Sequence, residues 1–99
     1  MGIAYIEEYE RLGVDADGRP TQIPKQGAIT NQKISYSTTT QSAAFSGRTR
    51  FVRIHTDSIC SYLFGSNPTA TTSTPRMAAN QTEYFAVQPS DKVAFITNT

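Results

Sequence analysis

The feature that most constrains this chain is a repeat of period two. From Lys33 onward, short runs of β-branched and aromatic residues alternate with polar ones: "KISYSTTT", "TRFVRIHT", "ICSYLFG", "EYFAVQP" and "DKVAFIT". Each run is bounded by Asn, Pro, Gly, Ser or Asp, so turn signals recur about every ten residues. In the first run Ile34, Tyr36 and Thr38 share a face; in the second, Val52 and Ile54 oppose Phe51, Arg53 and His55. Side chains of a strand alternate between its two faces, so the pattern predicts strands buried on one side. Many short strands of this kind predict an all-β domain, a small β-sandwich or a barrel-like fold. Ser and Thr make up about a quarter of the 99 residues, which also favours strands and loops over helices.

Residues 1–31 look different. A short apolar patch, "IAYIEEY", is followed by "GVDADGRPTQIPKQGAITN", in which two prolines and three glycines argue against a helix. "DADG" reads as a tight turn with Gly18 at positive φ. The segment is too poor in large apolar residues for a core of its own. The expected organisation is therefore an extended N-terminal arm over 1–31 and a β-sandwich domain over 32–99, with the arm lying on its own domain or on a neighbouring subunit. Tyr5, Ile6, Tyr9 and Leu12 also have helical spacing, so a helix over "AYIEEYERL" stays open as the alternative. The stretch Ser66–Thr82 reads as a long loop, uncharged apart from Arg76, with room for a short extended piece near Arg76–Ala78.

Chemistry-bearing residues are few. The only histidine, His55, and the only cysteine, Cys60, lie five positions apart. A hairpin turning at Asp57–Ser58 would set them directly opposite, and Arg53 opposite Tyr62; a loop one residue longer would put His55 and Cys60 on opposite faces. A thiolate nucleophile also needs an oriented base and an oxyanion hole in a concave site, and no flanking glycine turn or helix start supplies backbone donors. The pair reads as structural. One His and one Cys cannot close a zinc site, and the "DADG" start lacks the Glu of a calcium loop, having Gln26 at that spacing. Glu7, Glu8 and Glu10 read as a solvated face. No phosphate loop or nucleophile elbow is present. The expectation is a protein that is not an enzyme and uses no cofactor or metal.

Charge narrows the partners. The formal net charge is +1, so no global field recruits nucleic acid or an anionic membrane. Arg48, Arg50 and Arg53, interleaved with Phe51, form the one basic cluster that could grip a single strand, and a structural or protein-contact role is favoured for it. No apolar run is long enough to span a bilayer, and the acidic N-terminus lacks a signal-peptide layout, so synthesis in the cytoplasm is expected. What remains is a protein that binds a surface. The candidate protein-contact residues are Tyr5, Ile6, Tyr9, Ile23 and Pro24 in the arm, Arg48 and Arg50 in the basic cluster, and Asn67, Pro68 and Arg76 in the long loop.

A longer string carries a resemblance. Thr49–Ile54 "TRFVRI", Asp57 with Cys60, Phe64–Thr71 "FGSNPTAT", Met77, Glu83–Phe85 "EYF" and Asp91–Ile96 "DKVAFI" resemble short proteins encoded near the capsid genes of tailed bacteriophages and prophages. The resemblance covers a little over half the chain and reaches the N-terminal segment only through "AYIEEY". It implies a virion structural protein of the small head-associated, decoration or cement type. Such a protein would be β-rich, homo-oligomeric with a trimer favoured, and bound to the major capsid protein on the outer head surface. The virion, assembled in the host cytoplasm, would be its location. A tail or head–tail connector component, and a small nucleic-acid-binding or host-directed phage protein, are the alternatives. The resemblance brings no catalytic residues with it.

Overall fold

The computed structural model describes residues 2–99, and among them no residue is helical. Ten strands are present: β1 (Gly2–Tyr9), β2 (Leu12–Val14), β3 (Pro20–Pro24), β4 (Thr30–Tyr36), β5 (Thr40–Gln41), β6 (Phe51–Thr56), β7 (Cys60–Gly65), β8 (Arg76–Met77), β9 (Gln81–Ala86) and β10 (Lys92–Thr97). They form two four-stranded sheets, ordered β4-β1-β6-β9 and β5-β10-β7-β8, and a separate two-stranded ribbon, β2-β3. Among the described residues every strand pairing is antiparallel, and the sheets do not close into a barrel. The all-β architecture follows from the period-two pattern. β6 buries Val52, Ile54 and Thr56 and leaves Phe51, Arg53 and His55 half-buried on its other face.

One core lies between the two large sheets. The first contributes Ala4, Ile6, Tyr36, Val52 and Ile54, and the second Cys60, Met77, Val93 and Phe95. Phe45 joins from the segment between β5 and β6, and Tyr36 stacks on Phe95 at 5.6 Å between ring centroids. Tyr62, Phe64 and Phe85 close one side of the core, with the Phe64–Phe85 centroids 5.0 Å apart. Each sheet thus buries one face against the other, as antiparallel sheets commonly do.

The N-terminal segment departs from the expected arm. Residues 2–9 are neither an arm nor a helix: β1 is an interior strand, paired with β4 on one side and β6 on the other. Its inward residues Ala4, Ile6 and Glu8 recur with period two, and this burial outweighs the helical spacing of Tyr5, Ile6 and Tyr9. Removing residues 1–30 would therefore take out the middle of a sheet. What projects is only the piece that follows, the β2–β3 ribbon, whose turn is built by Asp15. The Asp15 carboxylate accepts the N–H groups of Asp17 (2.9 Å) and Arg19 (2.9 Å), and Gly18 has φ +79°. The carboxylate of "DADG" is thus occupied in closing a turn.

The expected β6–β7 hairpin is also absent. Thr56 ends in one sheet, paired with Ala4 and Gln81, and Cys60 begins in the other, paired with Met77 and Thr97. The Asp57–Ile59 link crosses the core edge instead of turning back. It is fastened to β1, for the Ile3 N–H donates to Asp57 Oδ1 (2.7 Å) and the Asp57 N–H to the Ile3 carbonyl (3.1 Å). The Tyr36 hydroxyl donates to the Ser58 carbonyl at 2.8 Å. Crossing lets the apolar faces of β6 and β7 meet across the core, where a hairpin would have laid them side by side in one sheet. Between β7 and β9, the long loop is interrupted at Arg76–Met77, where β8 adds to the edge of the second sheet.

Candidate protein-contact surface

The residues singled out from sequence fall into three places. Three of them are closed off: Ile6 and Tyr9 are each 1% exposed and Pro68 is buried. Tyr9 stacks on Phe51 with centroids 5.6 Å apart, and its hydroxyl donates to Glu7, so neither face is free for a partner. Pro68 is held in the second sheet's margin, where its carbonyl accepts Gln41 Nε2 at 2.8 Å and Asn67 Oδ1 accepts the same amide at 2.9 Å. Arg76 is exposed on the edge strand β8, beside Ser61.

Tyr5 lies on the outer face of the β4-β1-β6-β9 sheet, in register with Lys33 and His55. The next row on that face carries Glu7, Arg53 and Tyr84. Arg53 Nη1 donates to Glu7 Oε2 at 2.8 Å, and His55 Nδ1 lies 2.7 Å from Thr82 Oγ1. Arg53 therefore faces Glu7 and Tyr84, not Tyr62, which belongs to the other sheet. His55 and Cys60 are likewise not neighbours. Cys60 is fully buried in the core, and that burial pushes its thiol above the ordinary range. The sheet crossing that separates the two side chains removes the geometry of a dyad.

Ile23, Pro24 and Arg48 do come together, at the projecting ribbon and its base, while Arg50 acts on Glu10 but does not line either concavity. β2 follows β1 after only Glu10 and Arg11, so the ribbon prolongs the body, and the molecule measures 45 × 25 × 20 Å. β2 and β3 pair only with each other, and none of their residues enters the core cluster. Three large apolar side chains nevertheless sit there in water: Leu12 is 40% exposed, Val14 66% and Ile23 64%. They border a shallow groove of about 490 Å³ that also includes Pro24 and Thr21. A two-stranded ribbon standing alone is marginal in water, and apolar groups gathered on one are characteristic of an interaction surface.

At the ribbon's base a second cleft, about 320 Å³, is lined by Glu10, Arg11, Lys25, Gly27 and Arg48. The ribbon closes here, with the Lys25 N–H donating to the Arg11 carbonyl at 3.1 Å. Arg48 Nη2 donates to Glu10 Oε1 at 3.1 Å. That bond, reinforced by Arg11 and Arg50, holds the Glu10 carboxyl below the usual carboxylate range.

The acidic run of β1 is split by strand parity. Glu7 and Glu10 are partly exposed and bound to arginines, but Glu8 points inward and is fully buried. The reading of all three as a solvated face is corrected by that orientation. Glu8 Oε1 accepts the Ser46 N–H (2.9 Å) and the Thr49 hydroxyl (2.7 Å), and Oε2 accepts Gln32 Nε2 (3.0 Å). This carboxylate fastens the segment before β6 onto β1 and so positions Arg48 at the cleft. The exposed Val14 and Leu12, and the cations Arg11 and Lys25, were not singled out from sequence. Their signal was an apolar pair in a segment too turn-rich to form a core.

No protein-family model, curated protein or solved structure matches the chain. Among the described residues, no group of three or more His, Cys, Asp or Glu side chains could hold a metal ion.

Proposed function

We propose that this protein is a bacteriophage virion structural protein that decorates the outer head and stabilises contacts between major capsid protein subunits. The observation that carries the reading is the projecting β2–β3 ribbon, with Leu12, Val14 and Ile23 exposed and no sheet of its own to pack on. The sequence resemblance of Thr49–Ile54, Phe64–Thr71 and Asp91–Ile96 to head-associated phage proteins supplies the context. A small, rigid sandwich presenting an apolar ribbon suits a cement role. The body needs no partner to close its core, while the ribbon gains buried area only by lying on another surface. Repetition by capsid symmetry would make many modest contacts sufficient. A homo-oligomer, with a trimer favoured, fits the same logic.

Purified virions from the encoding phage or induced prophage test this by quantitative mass spectrometry. A copy number in fixed proportion to the major capsid protein is expected. A copy number matching one ring at the tail or portal vertex would favour a connector component instead. Absence from particles would overturn the virion reading.

A further inference from the structure

We propose that the cleft at the base of the ribbon binds an acidic stretch of the partner protein, with carboxylates seated on Arg11, Lys25 and Arg48 while the adjoining apolar groove takes a neighbouring aliphatic or aromatic side chain. This deepens the proposed function, on which it rests for the identity of the partner. The argument begins with charge. The whole chain is nearly neutral, at +1, yet three of its nine cations line this one cleft. Only one acidic side chain stands among them, Glu10, and it is satisfied by Arg48. Among the described residues the ion pairs are Arg48–Glu10 and Arg53–Glu7, so Arg11 and Lys25 have no acidic partner. Both are exposed, and cations held together without counter-charges attract an anionic ligand.

The surroundings choose the class of anion. The cleft shares Arg11, Lys25 and Gln26 with the apolar groove that holds Leu12, Val14 and Ile23, so a ligand filling both is acidic at one part and apolar at the next. A peptide meets that demand. A nucleic-acid strand would need aromatic platforms beside the cations, but Phe51 is stacked on Tyr9 and Arg53 is paired with Glu7. Arginine's planar fork suits bidentate capture of a carboxylate, which gives the seat direction as well as charge.

The test uses the full chain, labelled with ¹⁵N, and three probes: a peptide of alternating Glu and Leu, the same peptide with Gln for Glu, and an oligothymidylate. The Glu-Leu peptide is expected to shift the amides of Arg11, Lys25–Gly27 and Arg48–Arg50, to weaken as salt rises, and to bind at least tenfold more tightly than the Gln-Leu peptide. The double variant Arg11→Gln/Lys25→Gln should lose at least tenfold in affinity, and Lys25→Gln alone should lose part of it. Both side chains are exposed, so the amide spectrum outside the cleft should stay as in the wild type. Equal binding of both peptides, shifts elsewhere on the surface, or tighter binding of the oligothymidylate would overturn the proposal. Virions separate this from the reading beneath it. If the double variant coats heads as well as the wild type, the cleft proposal fails and the virion role stands. If the wild type is absent from virions yet binds the acidic peptide at the cleft, the virion role fails and the cleft stands.

Discussion

Replacing Glu8 should destabilise the whole domain, though the residue sits in what reads from sequence as a solvated acidic run. Its carboxylate is fully buried and accepts three hydrogen bonds, from the Ser46 N–H, the Thr49 hydroxyl and Gln32 Nε2. Glu8→Gln keeps the shape. With its oxygen where Oε1 stands, Ser46 and Thr49 keep an acceptor, but a neutral one, and its NH₂ meets the Gln32 amide donor to donor. Turning Gln32 over is no remedy, because its Oε1 already accepts the Ala43 N–H at 2.9 Å and its Nε2 donates to the Ala43 carbonyl at 3.3 Å. A hydrogen bond to a charged group contributes about 1.5–3 kcal/mol and a neutral one about 0.5–1.5 kcal/mol. One charged bond lost and two reduced to neutral then cost about 3–5 kcal/mol. Relief from burying a charge offsets part of this, leaving a net loss of about 2–3 kcal/mol. Glu8→Ala strands all three donors and opens a cavity, for a loss of about 4–5 kcal/mol. Urea unfolding followed by circular dichroism reads both, and a cycle with Thr49→Val should show coupling of about 1–2 kcal/mol. A Glu8→Gln protein within about 0.5 kcal/mol of wild type would refute the reasoning, because surface changes fall in that range.

Gly2→Ala should cost about 1–3 kcal/mol by overpacking, because an added Cβ would lie 2.5 Å from Tyr36 Cζ, whose ring is fixed between Phe95 and the Ser58 carbonyl. Thermal melts will show it. Cys60 should react with a thiol reagent only as fast as the protein unfolds, so its labelling rate should rise with urea along the unfolding limb. Because burial raises the Cys60 thiol in the folded state, its contribution is complete below the ordinary thiol range. It is lost as pH rises through the folded value, giving a stability that falls on the alkaline side. Arg48→Gln should let the Glu10 carboxyl rise back toward its ordinary 4.5, as carboxyl chemical shifts against pH would report. In the wild type that lowered value contributes stability above the ordinary carboxylate range, lost as pH falls through the folded one.

How far the sequence could be read differs by element. Val52, Ile54 and Ile34 alternate so regularly that β6 and β4 follow from parity alone, and the "DADG" turn follows from residues that tolerate few other conformations. β1 was harder, because Tyr5, Ile6 and Tyr9 satisfy a helical spacing as well as a strand's, and only its two partners decide between them. The Asp57–Ser58 link looks like a hairpin turn locally, and nothing nearby in sequence tells that Ile3, more than fifty positions away, takes up the Asp57 carboxylate. Of the contact surface, Ile23 and Pro24 were legible as apolar residues in a segment unable to form a core, and Arg48 as part of a basic cluster. Arg11 and Lys25 were not, since their convergence with Arg48 depends on how the ribbon closes onto the segment fastened by Glu8.

The proposed role requires the ribbon to seat this protein on a capsid. Its most direct test is a titration of purified protein onto shells assembled from the major capsid protein, comparing the wild type with a variant in which residues 12–24 are replaced by Asn-Gly. The Lys25 N–H already bonds the Arg11 carbonyl, so a tight turn can join these residues and leave both large sheets intact. Saturable binding of the wild type at a fixed ratio to capsid subunits is expected, with a folded variant that does not bind. A wild type that never binds, or a variant that binds as well as the wild type, would contradict the proposed role.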